Sequence, residues 1–588
     1  MKYFCNPINY PYKYQFNKKP DGTLSVSRES ADPSMIAFKG KYYIFPSMTC
    51  GFLYSDNLAE WKFQPLKNFA SYDYAPDVCV TGNTVVLSAS SHEYGRFYRT
   101  KDLFSDNFEV IEFPFPFWDP ALFADDDGRL YFYWGCAAGA PIYGLELDPE
   151  TLQPVSEPKE LILMDFAVKG FERRGENHID TEKPPPEQVE MMLKQLESHE
   201  MPEALKQAAR GYIQGLPFNE GAWMNKYNGK YYLQYATPGA QYNVYADVVY
   251  VSDKPLGEYT LAKNNPFSYN PGGFIPGAGH GSTMEDGHGR FWHTSTMRIS
   301  KNHNFERRIG LWQAGFDPDG ELFCDQRYSD FPQKIYRKPW EKPDFMLLSY
   351  GKKAKASSSA KRKTPDLAFD ENVQTWWKAA ENNPGEWLEV DLGTEFDVRA
   401  VQINFADDDL TLPLPDGAAL VGSGQTARWI DEKHQPTRWK LEGSVDGEQY
   451  FIIEDKSAAD TDLSHDFILL ENGVKARYIK LTVVSLPYAQ AACVSGLRVF
   501  GLGHGGLPEA AENVTIKRES DLDISVTWNG DAMGYNVLWG HTADKLYHSY
   551  IIFGKNRVNI GGLVKGQEVF VRVDSFNESG ITEGKAVS

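Results

Sequence analysis

Three carboxylates sit at matching places in a recurring sequence pattern. Asp32 lies in SADPSMIAFKGKYYIF, Asp119 in FWDPALFADDDGRLYFYWG and Glu220 in NEGAWMNKYNGKYYLQYA. Each comes just before an apolar stretch that runs into a glycine turn and then a second, aromatic stretch. If these stretches are equivalent strands of equivalent units, the acids converge at one end of a common axis. An isolated Asp-Pro is an ordinary turn starter, so the joint placement carries the argument. Gathered carboxylates repel, and at least one must hold a proton near neutral pH. One protonated acid beside one ionised base is what splitting a glycosidic bond with water requires.

A repeated β unit would do the positioning. Lys39-Gly40 precedes KYYIF, Gly82 precedes NTVVLSAS, Asp127-Gly128 precedes RLYFYW, Asn228-Gly229 precedes KYYLQYA and His288-Gly289 precedes RFWHTS. Asp-Gly and Asn-Gly between alternating hydrophobics signal hairpins. Five such units, at the ~40–50 residues of a propeller blade, predict an all-β chain. Its first part, residues 1–335, is expected to be a five-bladed β-propeller. Residues 184–213, PPPEQVEMMLKQLESHEMPEALKQAARGYI, break the pattern with helical spacing. Pro184–Pro186 would open one helix and Pro202 stands near the start of a second. They form a helical insertion between the third and fourth sheets.

Composition narrows the function classes. The 588 residues carry 60 Lys and Arg against 80 Asp and Glu, a formal net charge of −20. That leaves no basic footprint for nucleic acid and repels anionic membranes. No apolar run approaches the ~18 residues of a membrane span, and no protein partner is indicated. Aromatic residues reach 14%, as in β-rich sugar-handling proteins or any large β core. The six cysteines are scattered without CxxC spacing, which argues for buried thiols over a zinc or redox site. The N-terminus shows no apolar signal-peptide region. The expectation is a cytoplasmic protein, or a secreted or periplasmic one whose leader has been removed.

On these residues the first ~335 positions resemble glycoside hydrolase family 43, a five-bladed propeller family. The resemblance implies that Asp32 is the general base activating water and Glu220 the general acid. Asp119 would raise and orient the acid. The family inverts anomeric configuration, which implies base and acid carboxyls ~6.5–9.5 Å apart. GAGHGSTMEDGHGRFWHTS at 277–295 resembles the family's late Gly-His-x-Ser segment, placing His280 near the axis. RRIGLWQAGFDPDGELF at 307–323 resembles its arginine-bearing run, making Arg308 the substrate arginine, with Arg307 one register away. Tyr74, Trp118 and Trp292 are candidates for stacking on sugar faces, whereas Trp223 reads as core. No organic cofactor and no direct metal ligand are implied. A structural calcium ion has room near the axis or in the next domain.

The family includes enzymes acting on arabinofuranosides, xylosides and galactans, and some galactan-specific members lack the base. Asp32 therefore favours an inverting exo-glycosidase releasing a terminal pentose from plant polysaccharide side chains or oligosaccharides. α-L-Arabinofuranose stands ahead of β-D-xylose. The alternatives are an exo- or endo-acting galactan or arabinan hydrolase, and a carbohydrate-binding propeller without catalysis.

Residues 331–352 read as a linker. From 345 to 503 short strands recur, among them EWLEVDLG, RWKLEGSVDG and RYIKLTVV, and predict a jelly-roll sandwich. AFDENVQTWWKA, WKLEGSVDGEQY and SGLRVFG resemble the discoidin, or coagulation factor 5/8 type C, module, often a carbohydrate-binding module. Its segment 407–436 is long and polar for a loop and is expected to be a disordered excursion. Residues 507–588, with Trp528 and VRVDSFNESG, resemble an immunoglobulin-like fibronectin type III domain and are expected to act as a spacer.

Overall fold

The computed structural model describes residues 2–19, 21–69, 73–181, 183–201, 203–422 and 427–588. Pro202, expected near a helix start, lies outside the described residues. The chain is built almost entirely of β-sheet, with two α-helices, α1 (Pro186–Glu197) and α2 (Glu203–Ile213), among the described residues.

Five antiparallel sheets begin with the strands Ser34–Phe38, Asp77–Thr81, Ala121–Ala124, Phe218–Tyr227 and Gly279–Glu285. Each of these is followed by strands that pair in sequence order, first to last. The Lys-Gly and Asn-Gly turns work as the sequence predicts. Lys39 and Gly40 have φ of 48° and 77°, and Asn228 and Gly229 have 48° and 76°. Two consecutive positive φ values match the right-handed twist of a two-residue hairpin.

Alternation along each strand feeds two interfaces at once. Met35, Ile44 and Leu53 of the first sheet pack on Ile309 and Leu311 of the fifth. Their neighbours Ile36, Phe45 and Phe52 pack on Val78, Val85 and Leu87 of the second. The second sheet packs on the third through Val86, Phe97 and Phe132, and the third on the fourth through Tyr131, Tyr133 and Leu233. Tyr232 and Val249 of the fourth meet Met297 and Trp312 of the fifth. The order is therefore cyclic: every sheet is covered on both faces. Three side chains stitch the first strands together. Ser282 Oγ accepts from Met35 N at 2.8 Å, Ser34 Oγ from Val78 N at 3.1 Å, and Asp77 Oδ2 from Leu122 N at 2.8 Å.

A second unit is one sheet whose strands Glu386–Phe405 and His465–Ser485 are long enough to cross it. Register shifts after Asp391 and Val398 let the first of them bend. Trp377, Trp439, Leu388, Ile479 and Val499 fill its core. The last unit has a three-stranded and a four-stranded sheet closed over Val526, Trp528, Tyr535, Val537 and Val573.

Three expectations about the connections are corrected. Residues 331–352 are no free linker: Gln333–Lys334 pairs with Tyr3–Phe4, Met346–Leu347 pairs with the second unit, and Phe331, Ile335 and Leu347 are buried. The last unit is no spacer: Tyr242, Val244 and Tyr269 of the first part share its core, and Arg173 pairs with Asp523. The excursion 407–436 carries order in its described residues. Ala419–Val421 and Arg428–Ile430 form strands, and the second of these pairs with Tyr14–Lys18 of the N-terminal hairpin. In all three, apolar side chains within polar-looking stretches anchor the backbone.

Candidate active site

Each first strand has a residue with left-handed backbone, just ahead of it in the first three sheets and within it in the fourth and fifth. Asp32, Ala75, Asp119, Gly221 and His280 have φ of 48°, 45°, 50°, 64° and 52°. Only one of the five is glycine, and non-glycine residues held in the left-handed region cost energy that concentrates at functional sites. The conformation turns Asp32, Asp119 and His280 towards the same end of the five sheets. In the fourth sheet the acid comes from one position earlier. A bulge between Glu220 and Trp223 shifts the register and re-aims Glu220. Gly221 is required there, because a Cβ would lie 2.7 Å from the His280 ring.

Asp32, Asp119, Glu220 and His280 share one cavity of about 310 Å³ with Tyr74, Trp118, Cys136, Tyr212, Tyr245 and Arg307. Its volume is at the low end of the ~300–1,000 Å³ typical of small-molecule sites. Asp32 Oδ1 accepts from Arg307 Nη1 at 2.9 Å and Oδ2 from Ser47 Oγ at 2.7 Å. Glu220 Oε1 accepts from the Tyr245 hydroxyl at 2.6 Å and Oε2 from the Cys136 thiol at 3.2 Å. Asp119 Oδ2 accepts from Gly221 N at 3.2 Å, and Ser90 Oγ holds its backbone N–H at 2.9 Å. His280 Nδ1 stands 3.4 Å from Asp32 Oδ1 and 3.7 Å from Asp119 Oδ2.

The electrostatics separate the carboxyls. Burial pushes Asp32 up, but the Arg307 guanidinium and then His280 outweigh it and hold Asp32 below the ordinary carboxylate range. Burial also raises Glu220, and there it prevails over His280 and the Tyr245 hydrogen bond. Asp119 is pushed up to about 7, first by burial and then, against His280, by Glu220 and Asp32. Burial would lower His280, yet its carboxylate neighbours, led by Asp32, raise it. One carboxyl held low, two pushed up and an imidazole raised by its carboxylate neighbours are the separated pair of tendencies that acid–base chemistry uses.

Two expected residues lie elsewhere. Arg308 does not reach the cavity: its Nε donates to His465 of the second unit at 2.8 Å and its Nη1 to the Arg28 carbonyl at 2.6 Å. The arginine on the cavity is Arg307, because adjacent strand residues face opposite ways. Trp292, 1% exposed, packs with Phe4, Ile44 and Met284 in the core between the first and fifth sheets. Tyr74, Trp118 and His280 do line the cavity. Cys136, Tyr212 and Tyr245 had no sequence signal. Cys136 also departs from the expectation of scattered buried thiols.

Asp119, Cys136 and Glu220 offer donor atoms within 4.8 Å of one another. A thiol and two carboxylates do not suit calcium, which takes oxygen ligands, and burial keeps this thiol protonated by raising its pKa. The cluster therefore does not fit the calcium expected near the axis.

Comparison with known proteins adds the following. Residues 176–322 match the model of glycosyl hydrolases family 43, and residues 367–481 match that of the NedA-like, galactose-binding domain. The first match holds Glu220, His280 and Arg307 but begins after Asp32 and Asp119. Xylosidase/arabinosidase 43A of Humicola insolens is 28% identical over 338 residues, 50% of this chain and 97% of that protein. A β-xylosidase of Xylanibacter ruminicola is 30% identical over 152 residues, 24% of this chain and 39% of that protein. A crystal structure of a thermostable family-43 glycoside hydrolase superposes with a TM-score of 0.41 at 18% identity, covering 57% of this chain and 99% of that one. These matches support a family 43 glycoside hydrolase domain followed by a discoidin-like domain of the F5/F8 type C kind.

Proposed function

We propose that the protein is an inverting exo-glycosidase that releases a terminal pentose, α-L-arabinofuranose ahead of β-D-xylose, from plant polysaccharide side chains. The observation that carries this reading is that Asp32 and Glu220 line one cavity on different partners, Arg307 and Tyr245. Asp32 is held ionised beside Arg307, and Glu220 is held towards its protonated form. Water attacks the anomeric carbon and gives its proton to Asp32, while Glu220 gives its proton to the departing oxygen. The sugar leaves with inverted configuration. Burial and the Asp32 carboxylate favour the proton on Glu220, and Asp119, held by Gly221 N beside His280, orients the acid's surroundings. The cyclic packing of the five sheets supports reading them as five blades of a propeller over residues 1–335. The three- plus four-stranded arrangement supports a fibronectin type III-like unit over 507–588.

The xylosidase and arabinosidase names of the two relatives support a pentoside substrate. Exo action is supported by the small cavity and by Tyr212 of α2 at its rim. A purely sugar-binding role leaves the left-handed backbone and the separated carboxyls without a purpose. The test is hydrolysis of aryl α-L-arabinofuranoside, β-D-xyloside and β-D-galactoside by the wild type and Asp32→Asn. The expected result is one clear pentoside signal, reduced ~10²–10⁴-fold in the variant with the fold intact. Near-full activity in Asp32→Asn would refute the assignment of the base.

A further inference from the structure

The polar segment 407–436 belongs by sequence to the discoidin-like unit, yet it reaches the catalytic end of the first part. Asp407 anchors its start, accepting from the Tyr14 hydroxyl at 2.7 Å and pairing with Arg28 at 3.2 Å. Its strand Arg428–Ile430 then pairs with Gln15 and Phe16. Val421 and Ile430 pack with Met48 and Tyr74, and Trp118 lies against the same cluster. The segment thus supports two aromatic residues that line the cavity.

Arg428 goes further inward. Its Nη1 donates to Glu29 Oε2 and, at 2.7 Å, to Gln15 Oε1. Glu29 Oε1 accepts from Arg307 Nε at 3.1 Å and also from Arg307 Nη2. Arg307 Nη1 in turn donates to Asp32. All four side chains are buried. Charge alternates along the row: Arg428, Glu29, Arg307, Asp32. Removing one member leaves an uncompensated buried charge, which the rest must absorb by moving or by taking up a proton.

We infer that the described residues of the segment 407–436 form a positioning arm, and that Arg428, through Glu29 and Arg307, fixes the placement of Asp32 and the charge beside it. The second unit is then part of the catalytic apparatus for small substrates as well as polymers. This rests on the reading of Asp32 as base. Without Arg428, Glu29 holds its charge against Arg307 alone, draws that guanidinium away from Asp32, and adds an unbalanced negative charge beside it. The other groups facing Asp32 are His280, Asp119, Glu220 and Tyr245. None of them belongs to the arm, so they are unchanged in the variants.

The experiment uses three full-length variants: Arg428→Met, Arg428→Lys, and Arg428→Met combined with Glu29→Gln. The acidic limb of kcat/KM reports the base in the free enzyme. Arg428→Met is expected to move it upward by about one pH unit. Arg428→Lys, which keeps the charge, and the double variant, which restores neutrality, should return it to within a few tenths of a unit. A merely structural residue would lower activity without moving the limb, and the double variant would be worse than the single one. The Asp32 carboxyl is also titrated by 13C NMR in aspartate-labelled protein, assigned with Asp32→Asn, which needs no substrate. An unmoved titration in Arg428→Met overturns the inference even if the enzyme is active. A moved titration in a chain that hydrolyses nothing supports the relay and instead refutes the glycosidase reading. If Arg428→Met does not fold, the double variant decides: a folded double variant with wild-type titration supports the charge row, and one with a shifted titration overturns it.

Discussion

Tyr245 donates its hydroxyl to Glu220 Oε1 at 2.6 Å. The bond stabilises the ionised form of a carboxyl whose burial favours the neutral form, so the two effects oppose each other. If Glu220 is the acid, as proposed, Tyr245 therefore tempers it. Tyr245→Phe removes the donor and keeps the ring. Glu220 should then hold its proton to higher pH, and the alkaline limb of kcat/KM should move upward by up to about one unit. The acidic limb, set by Asp32, should move far less. A pH–rate profile on an aryl glycoside checks this, and a downward shift of the alkaline limb would assign that limb to another group.

Glu220→Gln keeps shape and hydrogen bonding but has no proton to give. An aryl glycoside with a good leaving group departs with little help, whereas an alkyl or sugar leaving group needs protonation. The loss should be ~10²–10⁴-fold on an oligosaccharide and several-fold to tenfold on an activated aryl glycoside. Equal losses on both would remove Glu220 from the acid role.

Asp77, which does not line the cavity, ties the second sheet to the third through Leu122 N at 2.8 Å. Burial raises its carboxyl to about 7, against the hydrogen bonds it accepts. A carboxyl raised in the folded state binds more protons there than in the unfolded chain. Its stability contribution is complete below about 4 and is lost as pH rises through about 7. Asp77→Asn, which can still accept from Leu122, should leave stability nearly unchanged at pH 4.5. At pH 8 it should raise stability by about 1–4 kcal/mol. Denaturant unfolding at the two pH values measures the difference.

Much of this was legible in sequence because the sheets repeat. A glycine turn and two alternating stretches mark each hairpin, and the place just ahead of the first apolar stretch located Asp32 and Asp119. Glu220 was found although the bulge shifts it by one residue, because the acid still precedes an apolar stretch. Arg308 shows where the reading stops. The strand Arg307–Phe316 is buried on both faces, so hydrophobicity gives no phase, and a one-residue slip exchanges the two faces. Trp292 failed for a related reason: an aromatic next to a motif is not thereby on the motif's face. Cys136 and Tyr245 reach the cavity from loops and strand ends that carry no periodic signal. Arg428 arrives from another unit, and no local pattern reveals a contact across 399 positions.

The helical insertion sets the rim of the cavity. α2 lies on the strand Ala137–Ala138, and Gly211 allows the approach, since a Cβ there would run into the Ala138 carbonyl. The next residue, Tyr212, is 70% exposed and lines the cavity mouth. A large aromatic ring left open to water at a cavity rim suits stacking on a sugar face. Tyr212→Ala should therefore raise KM on a disaccharide or longer substrate by about 2–10-fold, the equivalent of ~0.5–1.5 kcal/mol of aromatic contact. kcat should hold, because the ring touches none of the acid–base groups. Stability should stay within ~0.5 kcal/mol, as for other exposed substitutions. Steady-state kinetics with substrates of increasing length, beside thermal unfolding, separates this from a structural effect. A fall in kcat with KM unchanged would place Tyr212 in transition-state contact instead, and a fall in stability alone would make it a prop for the helix.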